Sequence, residues 1–152
     1  MYALDTNLLV YAHNVGSPFH ASARTFMERV MNTHGTDGRL SVCLPARVLM
    51  EFLNVITWRR LDRPLPLSDA VRIVQDYMDT GIVVLYHRPT QLETLVDLLG
   101  AATTRKRIFD AALAATLKDH GVPGLYTVNT RDFEDFTFLD VRNPLISEND
   151  IE

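Results

Sequence analysis

Short apolar segments alternate along the chain with longer segments whose apolar residues recur at helical spacing. The apolar runs are YALD, LSVCL, IVVLY, LYTV and FLDV, and segments of helix length separate the first four. Strands that alternate with helices pair in parallel, because each crossover helix returns the chain to the same edge of the sheet. The sequence therefore predicts an α/β fold of three layers, a parallel sheet of about five strands with helices on both faces.

The predicted helices have recognisable ends. Pro45 suits the first turn of a helix that runs to about Trp58, since proline is tolerated there. Ser68 is the expected N-cap of the next helix, and Gly100 is the expected C-cap of a helix that starts near Pro89. A turn or short helix is expected at TRDF, between the last two strands.

Size and composition favour one folded domain. The chain has 152 residues, 47% of them hydrophobic, which is enough for one core and too little for two. We expect a single domain over residues 1–146 and a frayed acidic tail, SENDIE, over 147–152. The formal charge of −4 argues against a general electrostatic coat for nucleic acid, but it does not exclude a nuclease with clustered acids.

Cys43 is the only cysteine, so the chain can form neither an internal disulfide nor a cysteine-based zinc site. Its place within LSVCL predicts a buried structural thiol. The N-terminus lacks the pattern of a signal peptide, and no apolar run reaches the roughly 18 residues that a membrane span needs. We therefore expect a cytoplasmic location.

An acid interrupts the first apolar run. In LDTNLLVYA, Asp5 comes directly after the first predicted strand. One interpretation is that Asp5 caps the following helix. The other is that it faces a ligand, because open parallel sheets bind ligands outside the carboxyl ends of their strands.

Three further segments supply possible partners for Asp5. Glu51 lies on or beside the apolar stripe of its helix, and Asp110 lies at the start of the inward face of another helix. Each has an ordinary explanation: Glu51 can reach water from the margin of the stripe, and Asp110 suits the helix dipole. In TVNTRDF, Asn129 or Thr130 can cap a short helix with Asp132 near its first turn, so for Asn129 and Asp132 a role at the helix end and a role at a metal are equally open.

The joint pattern indicates a metal site. Four carboxylates brought together repel one another unless a counter-charge is present, and Mg²⁺ or Mn²⁺ favours such oxygen ligands. Two such ions can activate water and stabilise the leaving oxygen of a phosphodiester. The five histidines form no metal-binding pair, and the chain has no P-loop, GxGxxG or GxSxG motif. A haloacid-dehalogenase phosphatase needs a second Asp where this chain has Asn7.

Four segments resemble, in order, the four motifs of the PIN-domain ribonucleases, and most closely those of VapC-type toxins from bacterial toxin–antitoxin modules. They are LDTNLLVYA, PARVLMEFLNVIT, IFDAALAATLKDHG and TVNTRDF. The resemblance implies a PIN-like fold with a five-stranded parallel sheet, a Mg²⁺- or Mn²⁺-dependent endoribonuclease, and frequent homodimers. It also implies a cognate antitoxin that inserts a segment near the active site.

Matching positions in the motifs assign roles to residues of this chain. Four acids become metal ligands and catalytic groups, and two amides support them. The acids are Asp5, Glu51, Asp110 and Asp132, and the amides are Asn7 and Asn129. Family members carry an acid at the position of Asn129, of Asp132 or of both, so the side chain that contacts the metal stays open at this point.

Basic and apolar side chains suggest contacts with substrate and partner. Arg105, Lys106 and Arg107 directly precede the helix of Asp110, and we expect them to hold RNA phosphates. The alternative is that these three side chains belong to a loop and are simply solvated. Phe26, Met27 and Val30 are candidates for a partner groove.

Two other functions compete with the toxin interpretation. One is a PIN-like nuclease for RNA processing or DNA cleavage that has no antitoxin. The other is a catalytically silent binding module whose acidic pocket holds an arginine of a partner.

Overall fold

One sheet of five parallel strands organises the computed structural model, which describes residues 1–101 and 104–146. The strands lie in the order β3-β2-β1-β4-β5. Their bounds are Tyr2–Leu4 (β1), Val42–Pro45 (β2), Val83–Leu85 (β3), Gly124–Tyr126 (β4) and Asp140–Arg142 (β5). This arrangement confirms the α/β class, the parallel pairing and the number of strands expected from the sequence.

Helices connect the strands. They span Thr6–His13 (α1), His20–Val30 (α2), Ala46–Ile56 (α3), Leu67–Asp79 (α4), Gln91–Ala101 (α5) and Ile108–Asp119 (α6). Two 3₁₀ helices, Arg105–Arg107 and Thr130–Phe133, precede α6 and follow β4. The second of these is the short helix expected at TRDF.

The strand order reverses beside β1. From β1 the chain moves outward through β2 to β3, and it then returns to place β4 on the other side of β1. Ala3 is paired with Cys43 on one side and with Leu125 on the other. Because crossovers between parallel strands are right-handed, winding in opposite directions from β1 puts helices on both faces. The carboxyl ends of β1 and β4 therefore flank the point where such sheets bind ligands.

The centre of the sheet is the core of the domain. All four residues of β2 are buried, and burial raises the pKa of the Cys43 thiol to about 12. This confirms the buried, inert cysteine. Phe26, Met27 and Val30 are also buried, so they contribute to the core and do not present the open partner surface for which they were candidates.

Three helix boundaries differ from the sequence-based expectation. Pro45 is the last residue of β2 and α3 begins after it, because Pro45 still pairs with Leu85. Ser68 lies inside α4, which begins at Leu67 after Pro66. Gly100 lies inside α5, so it does not end that helix.

The expected acidic tail, residues 147–152, lies outside the described residues, and the single domain over 1–146 stays a prediction. Within the described part of the chain, no helix has the length and apolar character needed to cross a membrane.

Candidate functional site

Asp5 lies at the carboxyl end of β1, and both of its carboxylate oxygens accept hydrogen bonds. Its Oδ1 atom accepts a hydrogen bond from the backbone N–H of Thr6 at 2.8 Å, and Asp5 is the N-cap of α1. Its Oδ2 atom accepts a hydrogen bond from Thr127 Oγ1, just beyond β4, at 2.6 Å. Asp5 thus caps a helix and also faces the switch point of the sheet, so the two interpretations of this acid are compatible.

Thr6 links Glu51 to Asp5 through two hydrogen bonds. The Thr6 hydroxyl donates a hydrogen bond to Glu51 Oε2 at 2.8 Å, while its backbone N–H donates to Asp5. The other oxygen, Glu51 Oε1, accepts a hydrogen bond from Arg47 Nε at 2.9 Å, one helical turn earlier in α3. One threonine therefore joins two acids that lie 46 positions apart in sequence (51 − 5).

Asp110 lies in the first turn of α6, as its sequence position predicts. Burial, together with the charges of Asp132, Asp5 and Glu51, raises the pKa of Asp110 to about 6, while the charge of Arg47 acts in the opposite direction. Like charges have this effect only at short range. The α6 acid therefore shares one electrostatic environment with acids from three other elements.

Asp132 completes this group from the second 3₁₀ helix. Its charge raises the pKa of Asp110, and it also raises the pKa of Asp5, for which burial is the largest cause. The hydrogen bonds from Thr127 and Thr6 to Asp5 act in the opposite direction. We call Asp5, Glu51, Asp110 and Asp132 the acid cluster.

The two amides lie at the margin of the acid cluster. Asn129 lines a separate small groove with Tyr11, Phe19 and Leu145, and its backbone N–H donates a hydrogen bond to Thr127 Oγ1 at 3.1 Å. Asn7 is partly buried in the first turn of α1. In the TVNTRDF segment, therefore, Asp132 interacts electrostatically with Asp5 and Asp110. Asn129 contributes a backbone hydrogen bond to Thr127.

The carboxylates of the acid cluster are suitable ligands for a hard divalent cation, but their side chains do not converge on one point in this structure. Carboxylate oxygens are the ligands that Mg²⁺ and Mn²⁺ favour, and the raised pKa of Asp110 shows that the acids repel one another. Among residues 1–101 and 104–146, however, no three His, Cys, Asp or Glu side chains converge closely enough to hold an ion. The donors fit such a cation, and binding requires some of them to move.

Three residues of the site were missed by the sequence analysis. Thr6 and Thr127 are buried hydroxyl residues that fix Asp5, and Arg47 reaches Glu51. The signal for Arg47 is its spacing of four residues from Glu51, which places both side chains on one helix face. Each threonine lies within two residues of a strand end, which is a weak signal because hydroxyl residues are common there.

The three basic residues before α6 differ in their surroundings. Arg105 and Lys106 are exposed in the first 3₁₀ helix. Arg107 is paired with Asp135, which follows the second 3₁₀ helix. This ion pair ties the segment that leads to Asp110 to the segment that carries Asp132, so Arg107 supports the acid cluster structurally.

An apolar groove of about 610 Å³ borders the acid cluster. Arg47 and Phe109 line it beside the acids, and the exposed side chains of Met50, Met78 and Tyr86 lie along it. Contiguous exposed apolar surface of this kind typically marks a binding site for another molecule.

Comparison with known proteins identifies the family. The family model of the PIN domain matches residues 2–139. Ribonuclease VapC24 of Mycobacterium tuberculosis is 33% identical over 150 residues, which cover 97% of this chain and 99% of that protein.

Solved structures with low sequence identity share the fold. The Mycobacterium tuberculosis toxin VapC20, described as cleaving the sarcin–ricin loop, has a TM-score of 0.63 at 17% identity, with 87% of this chain and 92% of that chain covered. A toxin–antitoxin complex from Klebsiella pneumoniae has a TM-score of 0.62 at 18% identity, with 95% and 98% covered.

Proposed function

Because the chain belongs to the PIN-domain family, we propose that it is a metal-dependent endoribonuclease and the toxin of a type II toxin–antitoxin module. The observation that carries the proposal is the acid cluster, in which the charges of acids from four separate elements act on one another near the switch point of the sheet. The near full-length similarity to a protein named as a VapC ribonuclease supports RNA as the substrate.

The proposed cofactor is Mg²⁺ or Mn²⁺, as one or two ions, held by Asp5, Glu51, Asp110 and Asp132. Such an ion lowers the pKa of a bound water and stabilises charge on the phosphodiester. Within the chain, Thr6 and Thr127 aim the carboxylate of Asp5 by fixing its two oxygens. Asn7, in the first turn of α1, and Asn129, just before the second 3₁₀ helix, are proposed to support the two segments on either side of the switch point.

The proposed reaction is hydrolysis by direct attack of water. The water oxygen forms a bond to phosphorus, the bond from phosphorus to one ribose oxygen breaks, and that oxygen takes up a proton. No covalent enzyme intermediate is required. Burial and the charges of the neighbouring acids raise the pKa of Asp110 to about 6 in the metal-free protein, so a bound cation would offset repulsion that this carboxylate otherwise experiences.

Substrate phosphates are proposed to lie along the exposed start of α6. Arg105 and Lys106 are exposed two turns or less from Asp110, and cations at this distance hold the backbone of RNA without reading its sequence. Arg107, which is paired with Asp135, is proposed to contribute its charge while keeping the two segments together.

The proposed protein partners are a cognate antitoxin and a second copy of the chain. The apolar groove beside the acid cluster supports an antitoxin segment that covers the entrance to the site. Co-purification of the chain with the product of a small adjacent reading frame tests the first partner, and sedimentation equilibrium of the chain alone tests the homodimer.

Cleavage of RNA tests the activity. The full chain is incubated with a panel of transfer, ribosomal and messenger RNAs in Mn²⁺ or Mg²⁺, and Asp5→Asn is compared with wild type. We expect cleavage by wild type and a loss of about 10²-fold or more in the variant. Asp69→Asn, which changes a half-exposed acid in the first turn of α4, is the control. Equal cleavage by all three proteins would place the activity outside the acid cluster.

Thermal melting tests the cofactor without relying on activity. A cation that binds the folded state raises the melting temperature by mass action. We expect Mn²⁺ to raise it for wild type and for Asp69→Asn but not for Asp110→Ala. A rise that persists in Asp110→Ala would locate the ion elsewhere.

A further inference from the structure

Arg47 places a positive charge among the acids. Its Nε atom lies 2.9 Å from Glu51 Oε1, and its guanidinium carbon lies 4.9 Å from the centre of the Phe109 ring. The Arg47 side chain is only 27% exposed. Two directional contacts and partial burial therefore hold this cation in one place, whereas most surface arginines are solvated.

The contact with Arg47 restricts what Glu51 can do. Both of its carboxylate oxygens already accept a hydrogen bond, Oε1 from Arg47 and Oε2 from Thr6. Among the described residues no three metal-ligating side chains converge, even though the charges of Asp5, Asp110 and Glu51 act on one another. A cation that binds Glu51 Oε1 therefore lies next to the guanidinium group of Arg47.

From these contacts we infer that Arg47 is the resident counter-charge of the acid cluster and competes with the divalent cation for Glu51. The inference rests on the proposed function, since it takes the acid cluster to be a cation site. Arg47 stabilises the metal-free cluster by balancing part of its negative charge. It opposes metal binding, because a guanidinium group next to the cation repels it.

The ring of Phe109 is a second contact for the guanidinium group of Arg47. Phe109 is 71% exposed and directly precedes Asp110. An aromatic face attracts a guanidinium group without needing the Glu51 contact. When a cation takes the place of Arg47 on Glu51, the arginine therefore remains stacked beside the site, and the exchange is reversible.

Metal affinity, measured on the full chain without RNA, tests this inference. Mn²⁺ is titrated calorimetrically into wild type and Arg47→Gln, and we expect the dissociation constant to fall by about tenfold or more in the variant. Arg24→Gln is the matched control, because Arg24 Nε lies 2.9 Å from Glu28 Oε1 at the same spacing of four residues in α2. We expect the control to bind Mn²⁺ as wild type does.

Two further variants show whether Arg47 acts through Glu51. Arg47→Lys keeps the charge and loses the Nε hydrogen bond, so its dissociation constant is expected between those of wild type and Arg47→Gln. In a Glu51→Gln background, Arg47→Gln is expected to change the dissociation constant by less than about threefold. Circular dichroism checks the fold of each variant, and if Arg47→Gln does not fold, Arg47→Lys carries the test.

The outcomes separate this inference from the function on which it rests. An unchanged dissociation constant in both Arg47 variants overturns the inference. Weaker binding in Arg47→Gln also overturns it, and would show that Arg47 positions Glu51 as a ligand. If neither wild type nor Arg47→Gln binds Mn²⁺, the proposed metal site and the inference both fail. If RNA is not cleaved while the Mn²⁺ affinities change as expected, the proposed activity fails and the inference holds.

Discussion

Two arginine–glutamate pairs in this molecule have the same geometry and different surroundings. Arg24 and Glu28 in α2, and Arg47 and Glu51 in α3, are each four residues apart with an Nε–Oε1 distance of 2.9 Å. The α2 side chains are 66% and 62% exposed, whereas the α3 side chains are 27% and 45% exposed. The α2 pair faces solvent on both sides, and the α3 pair also contacts Thr6 and Phe109.

The difference shows that a contact distance alone does not give the role of an ion pair. An exposed pair at helical spacing is worth only about 0.3–0.5 kcal/mol, because water and salt screen it. The same pair at the edge of an acid cluster controls where a carboxylate points and how much negative charge the cluster presents. Variants of the glutamates and of the arginines in the two pairs can therefore be compared directly.

The largest expected difference concerns RNA cleavage by the two glutamate variants. Glu51→Gln removes a proposed metal ligand, and we expect the cleavage rate to fall by about 10²-fold or more. Glu28→Gln removes an equally paired acid away from the acid cluster and is expected to cleave as wild type does. Initial rates on one RNA in Mn²⁺ measure both. A similar loss in the two variants would mean that the effect comes from stability and not from the site.

A buried hydroxyl that supports the acid cluster gives the second difference. Thr127→Val removes the hydrogen bond to Asp5 Oδ2, and Thr127 is fully buried. We expect the free energy of unfolding to fall by about 1–3 kcal/mol, because a buried acceptor loses its donor. Thr33→Val in the α2 region, where the hydroxyl donates to Arg29 O at an exposed position, is the control. Urea unfolding measures both, and equal losses would contradict the prediction.

The arginines themselves give the third difference, in the metal-free protein. Arg47→Gln is expected to lower the free energy of unfolding by about 1–2 kcal/mol, because the ion pair, the ring contact and part of the charge balance are lost together. Arg24→Gln is expected to cost about 0.5 kcal/mol or less. Urea unfolding in a chelator compares them. If Arg47→Gln is as stable as Arg24→Gln, the acid cluster needs no counter-charge.

The fourth prediction is a pH dependence of stability. The pKa of Asp110 is about 6 in the folded protein against an ordinary value of 3.8. The folded state therefore holds this proton more tightly than the unfolded state does. The stability that results is fully present below about pH 3.8 and is lost as the pH rises through about 6.

Melting temperatures in a chelator between pH 4.5 and 7.5 test this dependence. We expect wild type to lose stability as the pH rises, and Asp110→Asn to lose less because this group no longer ionises. Asp69→Asn is expected to keep the wild-type slope. An unchanged slope in Asp110→Asn would show that another group is responsible.

The sequence predicted the parts of the molecule that depend on pattern. The alternation of apolar runs and helical segments predicted the parallel sheet, and the positions of Asp5 and Asp110 next to element ends predicted where they lie. The boundary at Pro45 was wrong because strand pairing with Leu85 extends β2 to that residue. Ser68 and Gly100 lie inside α4 and α5, so the helix-end preferences of these two residues did not set the boundaries.

The hydrogen bonds and the ion pair that hold the acid cluster in place were harder to predict, because they join residues that are distant in sequence. Thr127 bonds to Asp5 across 122 positions, and Thr6 bonds to Glu51 across 45. Hydroxyl residues are common after strands, so neither threonine stands out in the sequence. The pairing of Arg107 with Asp135 likewise joins two segments that lie 28 positions apart in sequence.

The position of β1 in the middle of the sheet affects when the site can form during synthesis. β1 is made first, but it lies between β2 and β4, and Asp5 needs Thr127 as a donor. Most of the chain must therefore leave the ribosome before the first strand has both neighbours. A nascent or truncated chain that ends before β4 carries three of the four acids and no assembled site, so the order of synthesis delays assembly of the site until β4 and the Asp132 segment have been made.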